Sequence, residues 1–199
     1  VSKFGEKTLD IIEKYPERLS EVSGIGLKTA EKIAEAFNQH REFANITLYL
    51  QQFGINSNYA MKLYKVYGAD TIDAVKENPY RLVEDIFGIG FKKADKIAEK
   101  MGVAHDDRFR IISGIKFTLS YFAGEGSTFL PQDMLCEKTG QLLDIPMESI
   151  QDAVTEMAFS GDIHVESIES RTVVFLMPYY MAEQNVCKCI SQINEAGLK

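Results

Sequence analysis

Apolar residues fall at helical spacing along most of this chain and alternate at strand spacing only near its end. Ile112, Ile115, Leu119 and Phe122 mark one face of a helix that Gly124 and Gly126 terminate. Thr128-Phe129-Leu130 has room only for a short strand, and Pro131 suits the first turn of a helix running through Leu142. Pro146 starts another helix, with Ile150, Val154 and Met157 on one face and Gly161 at its end. Residues 163–165 and 172–176 flank the polar turn IESR and predict a hairpin. The predicted order, helix, short strand, helix, helix, strand, strand, is that of a winged helix. From Met181 the run MAEQNVCKCISQINEAGLK predicts a final helix, a connection to whatever follows.

Before the break in periodicity at GVAHDD, the pattern is organised by an internal repeat. The run VSGIGLKTAEKI at 22–33 is answered by IFGIGFKKADKI at 86–97, at an offset of 64, with the glycines, Ala, Lys and Ile in identical positions. Upstream, Phe4-Gly5, Thr8, Pro16 and Arg18-Leu19 answer Tyr67-Gly68, Thr71, Pro79 and Arg81-Leu82 at an offset of 63. A worn middle copy, Phe53-Gly54-Ile55-Asn56, follows the first at an offset of 30 and has Asn56 in place of the second glycine. Asn tolerates unusual backbone angles, though less freely than Gly.

Glycine, apolar residue, glycine, then Ala four residues on, has a specific physical content. The first Gly accepts a backbone shape that a side chain resists, and the central Ile anchors the turn. The second Gly leaves the backbone N–H groups that open the next helix uncovered, where the helix dipole favours an anion. Ala30, Ala60 and Ala94 let two helices approach closely. Lys28 with Lys32, and Lys92 with Lys96, are i,i+4 pairs beside the predicted phosphate, with Lys93 adjacent. The pattern predicts helix-hairpin-helix units in which Gly24, Gly26, Lys28 and Lys32, and Gly88, Gly90, Lys92, Lys93 and Lys96, touch DNA. Such units also serve as protein-packing modules, so a helical scaffold is the competing reading. The middle copy, which keeps only Lys62, is expected to be structural.

Charge changes the picture because it is unevenly spread. The net charge is −7, yet residues 1–104 hold 15 Lys and Arg against 15 Asp and Glu, so the deficit lies wholly in the second half. A DNA footprint is therefore expected in the first half. On the winged-helix segment, Glu148, Asp152 and Glu156 on the third helix and Glu166 and Glu169 on the wing repel phosphates, which favours a structural or protein-docking role there over DNA contact. Cys136, Cys187 and Cys189 form no CxxC pair, and His40, His105 and His164 are widely spaced, so neither a disulfide framework nor a metal site is expected. Glu84-Asp85 and Asp106-Asp107 read as helix caps or linker residues. No GxxxxGK[ST] loop is present, so no catalytic residue and no ATP hydrolysis are expected of these residues. With no apolar run long enough to span a membrane, a cytoplasmic location is expected, and a chain starting on Val1 reads as a piece of a larger protein.

The string Glu77-Asn78-Pro79-Tyr80-Arg81-Leu82 followed by GIGFKKADKIA at 88–98 closely resembles the N-terminal region of RecD-like helicases of the branch that acts without RecB and RecC. Tyr179-Tyr180 with Glu183 resembles the stretch that leads into that family's motor. The resemblance implies a parent enzyme that unwinds DNA 5′ to 3′, with ATP and Mg²⁺ bound by two RecA-like motor domains outside these residues. It also implies DNA as partner, single-stranded or forked. One departure is local: Glu125-Gly126-Ser127-Thr128 stands where family members often have a His beside the Gly, so no contact of that His transfers. The expected fold is mainly α, with tandem helix-hairpin-helix repeats over 1–104, a winged-helix-like α+β domain over 105–178, and a helix over 179–199 leading toward the motor.

Overall fold

The computed structural model describes residues 3–197, and the chain divides after Gly88 into two compact units. No helix among the described residues is long and apolar enough to cross a membrane.

In the first unit the repeat is visible hydrogen bond by hydrogen bond. Single 3-10 turns at Gly5–Lys7 and Gly68–Asp70 lead into helices α1 (Thr8–Lys14) and α4 (Thr71–Glu77). In each, a threonine hydroxyl reaches back to the glycine carbonyl, Thr8 to Gly5 and Thr71 to Gly68, both at 2.6 Å. The Pro16–Glu21 3-10 segment of the first repeat corresponds to helix α5 (Arg81–Asp85) of the second, and each buries its leucine, Leu19 or Leu82. Between them run α2 (Leu27–Gln51) and α3 (Ser57–Tyr67). Helix α2 extends for 25 residues because no Gly or Pro interrupts it, so it serves both as the second helix of the first hairpin and as the first helix of the middle one. Ile11, Leu19 and Ala30 form the core beneath the first hairpin, with Phe4, Ile12, Ile25 and Ile33 packed around them.

The second unit begins with α6 (Phe91–Lys100) and α7 (Arg108–Gly124) and continues through β1 (Phe129–Pro131), α8 (Gln132–Leu143), α9 (Met147–Ser160), β2 (Ile163–Ile168) and β3 (Arg171–Leu176) into α10 (Met177–Gly197). The three strands form an antiparallel sheet in the order β1-β3-β2, with Leu130 and Val165 both opposite Val174. This is the winged-helix-like arrangement that the apolar pattern predicts, and the protein is mainly α overall. Expected boundaries at 104/105 and 178/179 divide the chain by role; the compact units divide after Gly88.

Two details differ from the sequence reading. The strands run further into the polar segment, to Ile168 and from Arg171, leaving a two-residue turn in which Glu169 and Ser170 both take positive φ, 50° and 66°. That geometry matches the right-handed twist of the strands it joins. The inward face of α7 is set by Ile111 with Gly114, Ile115, Thr118 and Leu119, while Ile112 is only half-buried. Small Gly114 allows this: a Cβ there would lie 2.8 Å from Leu143 Cδ1, so α8 could not approach. Thr139 Oγ1 and Thr118 Oγ1 are hydrogen-bonded at 3.1 Å within this buried contact, which satisfies both hydroxyls. The start of α10 is tied to the sheet by Tyr180 stacked on His164, centroids 3.6 Å apart, and by the Thr128 hydroxyl donating to Glu183. Beyond it Val186, Ile190 and Ile193 are exposed.

Candidate nucleic-acid interface

All three hairpin turns put their first glycine at positive φ, +92° at Gly24, +85° at Gly54 and +100° at Gly88, a conformation that a side chain strains. The central Ile55 and Ile89 are buried and Ile25 half-buried, as an anchor requires. The second position is different. Gly26, Asn56 and Gly90 share ordinary extended backbone, φ −84°, −75° and −89° with ψ near 167°, so Asn56 bears no unusual angle and the expectation of one is corrected. What glycine provides at 26 and 90 is the absence of a side chain: a Cβ at either would meet no atom within 4 Å.

That open space lies at a helix start. The amide of the third helical residue bonds back to the glycine carbonyl, Thr29 to Gly26 at 2.9 Å and Lys93 to Gly90 at 3.0 Å. The first two amides of an α-helix have no acceptor within it. In the middle hairpin Asn56 occupies the same space with its own side chain, and Oδ1 accepts from the Tyr59 amide at 3.1 Å. The worn copy thus caps its helix internally, with the residue type that does so best.

Lys28 and Lys32 are exposed on the first turns of α2, just beyond Gly24 and Gly26. Gly88 is the last residue of the first unit, and Gly90, Lys92, Lys93 and Lys96 belong to the second, the three lysines exposed along α6. Ala30, Ala60 and Ala94 are buried in each case. Lys62 is engaged within the protein, its ammonium donating to the Phe87 carbonyl at 3.0 Å, while the Tyr59 hydroxyl donates to the Gly88 carbonyl at 3.1 Å. The middle hairpin therefore braces the entry to the third turn, at whose tip the Phe87 side chain is 95% exposed.

Sequence reasoning missed the residue that moors α6. Arg110, only 8% exposed, donates to both carboxylate oxygens of Asp95 at 2.9 and 3.2 Å. It also donates to the carbonyls of His105 and Leu143, at 2.8 and 2.9 Å. Its partners come from α6, the following loop and the end of α8, which no local pattern connects. The one available signal was Asp95 beside the apolar positions Phe91, Ala94 and Ile97 of α6. Asp107 caps α7, accepting from the amides of Phe109 and Arg110, whereas Asp85 accepts a hydrogen bond from the Tyr67 hydroxyl instead of capping. Burial and the Asp85 carboxylate push the Tyr67 phenol up to about 12.

On the winged-helix-like domain, Glu148 and Asp152 are exposed as expected, but Glu156 is paired with Arg108 and Asp162 with Lys116. Hydrogen bonds from Ser160 and Lys116 hold the Asp162 carboxyl below its usual range. No group of three or more potential metal ligands forms among the described residues.

Residues 39–129 match the model of the ATP-dependent RecD2 DNA helicase HHH domain, and residues 2–39 match that of a SAM-like helix-hairpin-helix tandem. The chain is 31% identical over 130 residues to the ATP-dependent RecD2 DNA helicase of Deinococcus radiodurans, an alignment that covers 65% of this chain and 18% of that relative. The chain thus spans less than a fifth of that relative's length. Residues 2–129 thus match helix-hairpin-helix models, and from residue 39 on the matching model is that of the RecD2 DNA helicases.

Proposed function

From that premise, we propose that this chain binds DNA without sequence preference as the accessory N-terminal region of an ATP-dependent 5′ to 3′ helicase. Phosphates are held by the open helix-start amides after Gly26 and Gly90, with Lys28, Lys32, Lys92, Lys93 and Lys96 supplying charge. The observation that carries this reading is the empty space at Gly26 and Gly90 set against its closure by Asn56. An anion at such a position bonds the amides and meets the positive end of the helix dipole. Contacts of this kind set affinity and carry no base information, so no sequence preference follows. Single-stranded or forked DNA is the proposed form.

ATP and Mg²⁺ belong, on this proposal, to RecA-like motor domains outside these residues. No phosphate-cradling loop of the GxxxxGK[ST] type occurs in the chain, so the residues present do not fit the nucleotide. The chain by itself binds DNA and does not turn over ATP, and the parent works in the cytoplasm. A second reading, a protein-docking scaffold, is favoured for the winged-helix-like domain by the exposed acidic Glu148 and Asp152 on α9.

Titration of labelled single-stranded, forked and duplex DNA at several salt concentrations tests the proposal. Affinity should fall steeply with salt, and Lys92→Glu with Lys96→Glu should weaken binding to all sequences alike and flatten the salt slope by about two. Binding that is absent, or indifferent to salt and to these reversals, overturns the DNA reading and leaves the scaffold.

A further inference from the structure

The three copies of the hairpin differ at the residue just before the first glycine. In the first copy it is Ser23, exposed and polar. In the middle copy it is Phe53, whose ring lies edge-on against Tyr49 with centroids 5.2 Å apart, so the apolar surface is half covered. In the third copy it is Phe87, which projects 95% of its surface into solvent, more than any other large apolar side chain described. The peptide that carries the ring is nevertheless held firmly. Lys62 bonds the Phe87 carbonyl, Tyr59 bonds the Gly88 carbonyl, and Gly88 at φ +100° fixes the turn.

A bare aromatic ring on a braced backbone, immediately before a glycine turn suited to phosphate, has the makings of a stacking platform. Every nucleobase offers a π-face of matching size, and aromatic stacking on unpaired bases is tolerant of sequence. Bases in a closed duplex are already stacked on one another and present no such face. Holding the ring in advance leaves only its own rotation to be ordered when a base arrives. We infer that Phe87 stacks on an unpaired nucleobase of the DNA that this chain binds. The inference rests on the DNA reading above and sharpens it: the backbone amides and lysines grip any DNA, and Phe87 supplies the preference for unpaired strand.

The chain contains no tryptophan, so Phe87→Trp installs a single indole fluorophore at this position. Because Phe87 is so exposed, substitution leaves the fold intact, which the urea unfolding midpoint checks. On addition of an oligothymidylate the Trp emission should be quenched, while labelled-DNA anisotropy reports binding independently. Phe87→Ala and Phe87→Leu should each weaken binding to the single strand by about tenfold. Both should leave affinity for blunt duplex, and the salt slope, unchanged, since no charge is removed. Anisotropy that reports binding while the Trp emission stays constant overturns the inference and spares the DNA reading. So does a Phe87→Leu variant that binds single strand as tightly as the parent chain, because any apolar side chain would then serve. If neither single strand nor duplex is bound at all, the DNA reading fails and the stacking role with it.

Discussion

In the first hairpin the space where Gly26 would carry a Cβ is empty and the Thr29 amide turns back to the Gly26 carbonyl; in the middle hairpin Asn56 fills that space and its side chain takes the Tyr59 amide, the same third position of its helix. The backbone at the two positions is the same to within about ten degrees of φ and a degree of ψ. One side chain therefore decides whether the space before the helix start is open or filled, with no change of fold. The third hairpin keeps the space at Gly90, and the residues on either side of it are held within their own units, Phe87 and Gly88 by Lys62 and Tyr59 in the first and Asp95 of α6 by Arg110 of α7 in the second. Copies of one pattern have diverged in what backs them more than in how their chains run.

The largest test of this divergence concerns α6. Asp95 stands where the first repeat has exposed Glu31, so the same helix position is a mooring in one copy and solvent surface in the other. Arg110→Ala removes one partner of a nearly buried pair and strands both the Asp95 charge and two carbonyls. It should lower stability by about 3–5 kcal/mol in urea unfolding. Glu31→Ala should stay within about 0.5 kcal/mol. Comparable losses from the two would erase the distinction.

Exchanging the caps is the next test. Gly26→Asn gives the first hairpin the closure of the middle one, and stability should rise by only a few tenths of a kcal/mol. DNA affinity should fall by about tenfold, the worth of one hydrogen bond to a charged group near its lower limit. Asn56→Gly should lose a similar few tenths in stability without weakening DNA binding. An anisotropy titration in which Gly26→Asn binds as well as the parent chain would show that the open amides are not where phosphate sits.

The repeat and the geometry of its turns were legible in the sequence because they are local. Gly24, Gly54 and Gly88 announce positive φ, the alanines announce close helices, and Pro131, Pro146 and Gly161 punctuate the winged-helix-like domain at the right places. Arg110 was not legible, because it reaches acceptors 5, 15 and 33 residues away that only the folded chain brings to one guanidinium. The bracing contact of Lys62 was hidden for the same reason, since the carbonyl that its ammonium meets lies 25 residues on. The wing turn was placed too wide because Glu169 and Ser170 are not the glycine or asparagine that usually mark positive φ.

The smallest expected effect separates the two full repeats by one hydroxyl. Phe4 of the first copy aligns with Tyr67 of the second, whose phenol donates to Asp85 and is held neutral up to about 12. A folded-state value above the unfolded one, about 10, means stability is complete below pH 10 and is lost as pH rises toward 12. Tyr67→Phe makes the second copy resemble the first and should remove this part of the alkaline decline in the urea midpoint. An unchanged decline would assign it to other groups.

Helix α2 imposes a rule of phase on the repeats it joins. Its 25 residues form a rod about 37 Å long whose two ends belong to different hairpins. Losing one residue anywhere along it would shorten the rod by only about 1.5 Å but would turn everything beyond it by about 100°. Insertions near seven residues, about two full turns, would nearly restore the angle. The helix thus acts as a rotary index, keeping the first and middle hairpins in step by counting residues, and its surface positions are freer to vary than its length.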